Sequence, residues 1–143
     1  MVYLGLDLGS KTLGLAISDR TSTIATSLTV LRYNNYDELL NELDSIVYTR
    51  GVDAFVLGNP LNLDGSLSKR SIETLEFKKL LESRYKTKEI IMQDERLSTV
   101  EAERMLISND TKRKNRKKVI DKIAATIILQ AFLDRRVKWK III

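Results

Sequence analysis

Residues 1–16, MVYLGLDLGSKTLGLA, decide the fold. They contain two runs in which every second residue is apolar, separated by Gly-Ser-Lys at 9–11. Alternation with a period of two on each side of a short turn predicts a β-hairpin. Asp7 lies inside the first strand, where an ionised carboxylate is costly to bury unless a cation accompanies it. Asp7 is therefore either a ligand for a cation or a turn cap that accepts from the amides of Gly9 or Ser10.

The composition is that of a globular domain without histidine or cysteine. Of the 143 residues, 43% are hydrophobic and 30% are charged, which is ordinary for one folded domain. The lack of both residue types excludes disulfides, thiolate nucleophiles, histidine bases and His/Cys zinc sites. A metal held by carboxylates alone would be a hard ion, Mg²⁺ or Mn²⁺. No apolar run reaches the roughly 20 residues of a membrane helix and no signal peptide is recognisable, so we expect a cytoplasmic protein without membrane association.

The positive charge is concentrated in one run, KRKNRKK at 112–118. The chain carries a net charge of +5, and without this run the rest would be close to neutral. A local basic patch on a near-neutral protein is typical of a docking surface for a polyanion, which makes nucleic acid the expected partner. The basic residues of the run are Lys112, Arg113, Lys114, Arg116, Lys117 and Lys118.

After the hairpin, the pattern predicts alternating strands and helices. The expected order is a strand at 24–32, a helix at 36–50, a strand at 52–58, a helix at 68–85, a strand at 89–93, a helix at 98–108 and a last helix from about 120. The expected buried side of the helix at 68–85 contains Ile72, Leu75, Leu80 and Leu81. That of the last helix contains Ile120, Ile123, Ala124, Ile127, Ile128, Ala131 and Phe132.

A meander of three strands followed by strand–helix crossovers predicts an α/β fold. The sheet would be mixed and five-stranded, with a three-stranded antiparallel meander, two parallel strands and helices on both faces. We expect a single domain over residues 1–136 and a C-terminal tail over 137–143.

Three acids stand where such a sheet collects its ligands. Asp7 lies in the first strand, Glu95 follows the last strand, and Asp121 opens the last helix. Ligands gather at the carboxyl ends of strands in open α/β sheets. Three converging carboxylates would bind two divalent ions, which can activate a water and stabilise the leaving oxygen of a phosphodiester. Taken singly, Glu95 could instead pair with Arg96 on the surface, and Asp121 could be a favourable charge near a helix N-terminus.

Four motifs follow one another along the chain. They are Gly5-x-Asp7-x-Gly9-x-Lys11-x-x-Gly14-x-Ala16, then Gly58-x-Pro60-Leu61-Asn62-x-Asp64-Gly65, then Asp94-Glu95-Arg96-Leu97-Ser98-Thr99-x-Glu101-Ala102-Glu103, and finally Asp121-Lys122-x-Ala124-Ala125. Together they resemble the YqgF (RuvX) family of small RNase H-like proteins, relatives of RuvC-type Holliday-junction resolvases. The resemblance covers about residues 1–136.

The resemblance implies an RNase H-like sheet with Asp7, Glu95 and Asp121 as catalytic, metal-binding acids, holding two Mg²⁺ or Mn²⁺ ions once substrate is bound. It implies a nuclease that matures the 5′ end of pre-16S ribosomal RNA. In our first hypothesis, a nuclease acting on structured RNA, Lys11, Arg96 and the 112–118 run would bind the phosphates. The chain departs from the family pattern twice. Thr12 stands where the family usually has an arginine, and Gly58-Asn59 offers no equivalent of the strand-end glutamate of the RuvC group.

Other functions remain open. The same chemistry on a branched DNA junction would make the protein a resolvase that acts as a dimer, whereas the nuclease could be a monomer or a weak homodimer. A third hypothesis is a non-catalytic RNA-binding protein that uses the basic run. A fourth is a nucleotide phosphotransferase, because DLGSK at 7–11 resembles a phosphate loop of the actin and sugar-kinase group, although that group needs two such domains. Asp94 is either a fourth ligand or a strand-end cap, and Asp64-Gly65 is either a turn or a substrate contact.

Overall fold

The predicted hairpin is present and forms the middle of the sheet. The computed structural model describes residues 1–96 and 123–136. In chain order it contains β1 (Tyr3–Leu8), β2 (Thr12–Ser18), β3 (Ala25–Arg32), α1 (Tyr36–Arg50), β4 (Ala54–Asn59), α2 (Lys69–Arg84), β5 (Glu89–Asp94) and a helix over 123–136, named α3 here. The predicted helix at 98–108, the basic run at 112–118, Asp121 and the tail at 137–143 lie outside the described residues.

The five strands form one mixed sheet in the order β3-β2-β1-β4-β5. β2 is antiparallel to both β1 and β3, whereas β4 is parallel to β1 and β5 is parallel to β4. The meander and the two parallel strands are therefore confirmed. Because β1, β4 and β5 point the same way, their carboxyl ends share one edge of the sheet.

The residues of β1 separate the two faces of the sheet. Leu4, Leu6 and Leu8 are buried against α1 and α2, and we call this side the first face. Tyr3 packs on the opposite side with residues of α3, and we call that side the second face. Successive side chains of a strand point to opposite sides, so Asp7 belongs to the second face with Tyr3. Helices cover both faces, as predicted.

Local sequence signals set the bounds of α1. The Asn35 side chain accepts a hydrogen bond from the Glu38 amide at 2.9 Å, which satisfies one of the free amides of the first turn. The helix ends at Gly51, whose left-handed backbone (φ 61°) suits a residue without a Cβ atom. The predicted limits of 36–50 are confirmed.

The predicted buried side of α2 was partly wrong. Leu81 is buried as predicted, but Ile72 and Leu80 are 49% and 39% exposed. The helix also buries Phe77 and two hydroxyl residues, Ser71 and Thr74. The hydroxyls can be buried because backbone carbonyls of the preceding helical turn accept their hydrogen bonds at 2.8 Å. The side of α2 that contains Ser71, Thr74 and Phe77 therefore faces the first-face core, and Ile72 lies outside it.

The buried side of α3 is also rotated from the prediction. Ala125, Ile128, Leu129 and Leu133 are buried, whereas Ala124, Ile127 and Ala131 remain half-exposed. The cause is a close approach to β1. A Cβ atom at position 5 would lie 2.8 Å from the Leu129 Cβ and 3.0 Å from the Ala125 carbonyl oxygen, so only glycine leaves room for the helix.

Candidate active site

Asp7 lies on the second face beside α3. It pairs with Gly14 across the β1–β2 ladder. A Cβ atom at position 14 would lie 3.7 Å from both the Asp7 Cβ and the Ala125 Cβ. The Gly9 amide donates to the Thr12 carbonyl at 2.7 Å and closes the turn that follows Asp7.

Glu95 reaches the same face from the end of β5. A Cβ atom at position 58 would lie 2.5 Å from the Glu95 Oε2 atom and 2.6 Å from Ile128 Cδ1. The carboxylate therefore lies over Gly58, beside α3. The glycine of β4 is the reason that an acid from the next strand can lie at this edge of the sheet.

The two carboxyls are electrostatically coupled. The pKa of Glu95 is raised from 4.5 to about 7. Burial is the largest cause, and the negative charge of Asp7 is the second. Both causes disfavour the ionised form of Glu95, because a carboxylate loses water on burial and is repelled by a neighbouring negative charge. A cation between them would remove that penalty, so the donor set fits a hard divalent ion.

Arg70 adds a positive charge that the sequence alone did not reveal. Its Nη2 atom donates to the Leu8 carbonyl oxygen at 2.9 Å, which ties the first turn of α2 to the residue after Asp7. Its positive charge lowers the pKa of Glu95 and so offsets part of the increase that burial causes. The only available signal was positional: a helix that follows β4 must start at the carboxyl edge of the sheet.

Arg96 is held by a neighbouring acid. Its guanidinium binds both carboxylate oxygens of Asp94, with the shortest distance 2.6 Å, and its amide donates to Asp94 Oδ1 at 3.0 Å. These hydrogen bonds lower the pKa of Asp94. Asp94 therefore acts as a strand-end cap in the described structure. Arg96 also donates to the Leu63 carbonyl at 3.2 Å and lies against Gly65.

The loop over this edge is stabilised by its own turn. Asp64 accepts hydrogen bonds from the amide and hydroxyl of Ser66 at 2.9 and 2.6 Å. The Gly65 amide donates to the Asn62 carbonyl, and Gly65 adopts a left-handed backbone with φ 89°. These contacts support the turn interpretation of Asp64-Gly65.

Lys11 lies exposed in the β1–β2 turn, at the same end of the sheet as Asp7. The Tyr33 hydroxyl donates to the Gly9 carbonyl oxygen at 2.5 Å, and the Tyr33 amide donates to the Lys11 carbonyl at 3.0 Å. Tyr33 therefore fixes this turn to the end of β3. Sequence reasoning missed this brace, because nothing in the pattern shows where a tyrosine hydroxyl will bond.

The described part of the chain contains only part of the predicted metal site. Across residues 1–96 and 123–136, no group of three or more acidic side chains is close enough to hold a metal ion. The third predicted acid, Asp121, lies outside those ranges, as do all six basic residues of the 112–118 run. Within the same ranges, no helix is long and apolar enough to cross a membrane.

Comparison of the sequence with known proteins identifies the family. The family described as RuvX, Holliday junction resolvase, matches residues 1–135. A Bacillus pumilus (strain SAFR-032) protein named "Putative pre-16S rRNA nuclease" is 46% identical over 136 residues, which cover 94% of this chain and 98% of that protein. A Staphylococcus haemolyticus (strain JCSC1435) protein of the same name is 47% identical over 133 residues, covering 92% and 94%.

A solved structure shares the fold. Thermus thermophilus RuvC, determined in complex with a Holliday junction substrate, superposes with a TM-score of 0.55 and covers 96% of each chain. The sequence identity is 12%, so the likeness concerns the fold alone. The RNase H-like arrangement implied by the sequence motifs is confirmed.

Proposed function

Because the chain belongs to the RuvX family, we propose that it is a nuclease that hydrolyses phosphodiester bonds of structured RNA, with precursor 16S rRNA as its substrate. The observation that carries this proposal is the Glu95 carboxylate lying over Gly58 at the carboxyl edge of the sheet, close enough to Asp7 for the charge of Asp7 to raise the pKa of Glu95. The names of relatives that cover nearly the whole chain support the choice of RNA. This role would place the protein in the cytoplasm, as a monomer or a weak homodimer.

The proposed site depends on divalent metal ions, Mg²⁺ or Mn²⁺. Asp7 and Glu95 would supply carboxylate oxygens, and Asp121 would be the third acid. Two bound ions would activate the attacking water and stabilise the leaving oxygen of the phosphodiester. The chain contributes the arrangement: Gly58 leaves space for the Glu95 carboxylate, and Arg70 holds α2 to the end of β1.

The experiment is a cleavage assay on a labelled precursor 16S rRNA fragment in Mg²⁺, Mn²⁺ or EDTA. We expect the wild-type protein to cut only with a metal, and Asp7→Asn to lose at least about 100-fold in rate, since even outer-shell changes cost up to that much. Asp134→Asn is the matched control, because Asp134 is exposed near the other end of α3. Equal cleavage by Asp7→Asn and the wild-type protein would refute the proposed site.

The family description favours a second candidate, a resolvase of four-way DNA junctions. A resolvase must cut two symmetric strands, so it would need two copies of the site. The same assay with a labelled four-way junction, together with light scattering, separates the two functions. Symmetric junction cleavage by a stable dimer would favour the resolvase, and RNA cleavage by a monomer would favour the proposed function.

A third outcome of these assays would show that the protein is not catalytic. Salt-dependent RNA binding that does not change in Asp7→Asn, without cleavage in any metal, would point to a binding protein that uses the 112–118 run.

A further inference from the structure

A small basic cleft lies beside the turn that follows Asp7. It has a volume of about 160 Å³ and is lined by Lys11, Arg32, Tyr33 and Asn34. We propose that Lys11 and Arg32 form a binding subsite for a backbone phosphate of the substrate strand, next to the phosphate that is cleaved. The subsite deepens the proposed nuclease function and rests on it for the identity of the strand.

The two cations of the cleft are available to a ligand. Lys11 and Arg32 are both exposed, and neither side chain forms an ion pair or a hydrogen bond within residues 1–96 and 123–136. The other arginines near this edge are engaged: Arg70 donates to a backbone carbonyl and Arg96 binds Asp94. An unengaged guanidinium beside an ammonium group suits a phosphate, which accepts charge-assisted hydrogen bonds from both.

The strand register places Arg32 on the side of the sheet that carries the acids. Arg32 pairs with Thr12 across the β2–β3 ladder, two positions along β2 from Gly14, the partner of Asp7. Leu31 packs into the first-face core, so its neighbour Arg32 points to the second face. Strand spacing and rise put the Cα atoms of Asp7 and Arg32 about 12 Å apart. A long arginine side chain at that separation can contact a phosphate neighbouring the one held by the acids.

The cleft is held rigid by Tyr33. Its hydroxyl and amide bond to the turn at Gly9 and Lys11, at 2.5 and 3.0 Å. Burial raises the pKa of Tyr33 to about 12, so the hydroxyl keeps its proton and remains a donor. Its ring lies 5.6 Å from that of Tyr36, which lies 5.3 Å from the buried ring of Phe77. A subsite fixed in this way keeps a constant distance from Asp7, which is what positioning a strand for cleavage requires.

The first test removes one charge. A fluorescein-labelled single-stranded RNA is titrated against the protein in EDTA, so that binding is measured without cleavage. We expect Arg32→Gln to weaken binding by roughly three- to tenfold and to reduce the salt dependence by about one phosphate contact. Arg50→Gln is the matched control, because Arg50 is an exposed arginine in the last turn of α1. Equal affinities of Arg32→Gln and Arg50→Gln would overturn the proposal.

The second test moves the charge across the ladder. Thr12 and Arg32 face each other, and directly opposed residues have Cβ atoms about 5 Å apart. The double variant Thr12→Arg/Arg32→Thr keeps the net charge and the face, so it should regain most of the lost affinity. A double variant that binds no better than Arg32→Gln would overturn the proposal, because a cation on the same face should serve the same phosphate.

The outcomes separate the subsite from the nuclease. Lower affinity in Arg32→Gln, in a protein that cuts no RNA, would support the subsite and reject the proposed function. Metal-dependent cleavage with unchanged affinity would do the reverse. A parallel titration with a DNA strand of the same sequence shows whether the cleft requires ribose: an equal loss for both strands supports recognition of the phosphate alone, and a loss confined to RNA would overturn it.

Discussion

The two faces of one sheet differ sharply in what fills them. The first face is packed with large apolar side chains, including Leu4, Leu6 and Phe77, between the strands and two helices. On the second face, glycines at 5 and 58 let α3 come close to the strands. Both acids of the candidate site belong to the second face. We therefore expect the first face to contribute most of the stability. On the second face, small residues leave space for the acids at the carboxyl edge.

The largest effect should come from breaking the first face. Phe77 is fully buried, and Phe77→Ala would leave a cavity and lose its aromatic contact with Tyr36. We expect the free energy of unfolding to fall by about 3–5 kcal/mol, measured by urea denaturation. Ile72→Ala, on the exposed side of the same helix, should cost less than about 1 kcal/mol. Similar losses in both variants would show that the first face does not carry the stability.

Filling the space at Gly58 should damage the second face. The Cβ atom of Gly58→Ala would meet the Glu95 carboxylate and Ile128, so one of them must move. We expect a loss of about 1–3 kcal/mol in stability. The cleavage rate should fall about 100-fold, because a small misplacement of a reacting group is costly.

Gly14→Ala is the comparison for Gly58→Ala. Its Cβ atom would make only ordinary contacts of 3.7 Å with Ala125 and Asp7. The Gly14 variant should fold with a stability close to that of the wild-type protein. If both glycine variants behave alike, close packing at Gly58 does not position Glu95.

The burial of Glu95 beside Asp7 predicts a pH-dependent stability. Because the pKa of Glu95 is raised to about 7 from 4.5, the folded protein keeps a proton that the unfolded chain releases between these values. Stability contributed by this proton is present below pH 4.5 and is lost as the pH rises to about 7. Glu95→Gln removes that loss, so we expect it to stabilise the protein by roughly 1–2 kcal/mol above pH 7 in EDTA, less than the full shift because the side chain keeps some contact with solvent.

The measurement is urea denaturation below pH 4.5 and above pH 7. Glu89→Gln, at the exposed start of β5, serves as the control and should follow the wild-type protein at both values. A Glu95→Gln variant that is no more stable than the wild-type protein above pH 7 would contradict the raised pKa of Glu95.

The smallest effect should come from the residue that links the two faces. Tyr33 packs beside the first-face core, but its hydroxyl bonds to the turn that follows Asp7. Tyr33→Phe removes this one hydrogen bond, and we expect a loss of about 1 kcal/mol in the free energy of unfolding, with slower RNA cleavage. Tyr48→Phe changes a side chain that is 90% exposed and should alter neither quantity. Unchanged cleavage in Tyr33→Phe would show that the brace does not position the turn.

Local pattern was enough to predict the elements that the structure describes and much of the sheet. The period-two runs around 9–11 predicted the central hairpin, and the Asn35 and Gly51 signals predicted the limits of α1. The order of strands and helices predicted the two parallel strands, because a helical crossover returns the chain in the same direction. These features depend on residues close together in the sequence.

The rotation of α2 and α3 could not be predicted in this way. It is set by Phe77 entering the core and by the space over Gly5, and both are contacts between distant segments. The same holds for the site. Asp7 and Glu95 were predicted from their strand ends, and the structure brings them into electrostatic contact. Arg70 was missed, because its hydrogen bond to the Leu8 carbonyl spans 62 positions.

The pairing of Thr12 with Arg32 has a consequence for the evolution of these two positions. Judged by its motif alone, the chain has lost the arginine that usually follows Lys11. Judged by the ladder, a cation still stands opposite that position. If selection acts on the presence of a positive charge at this place and not on one sequence position, the two positions should vary together among relatives, with arginine at one or the other. The positive charge would then be conserved by a pair of residues that are neighbours in the sheet. A comparison that scores each position separately would record the charge as lost.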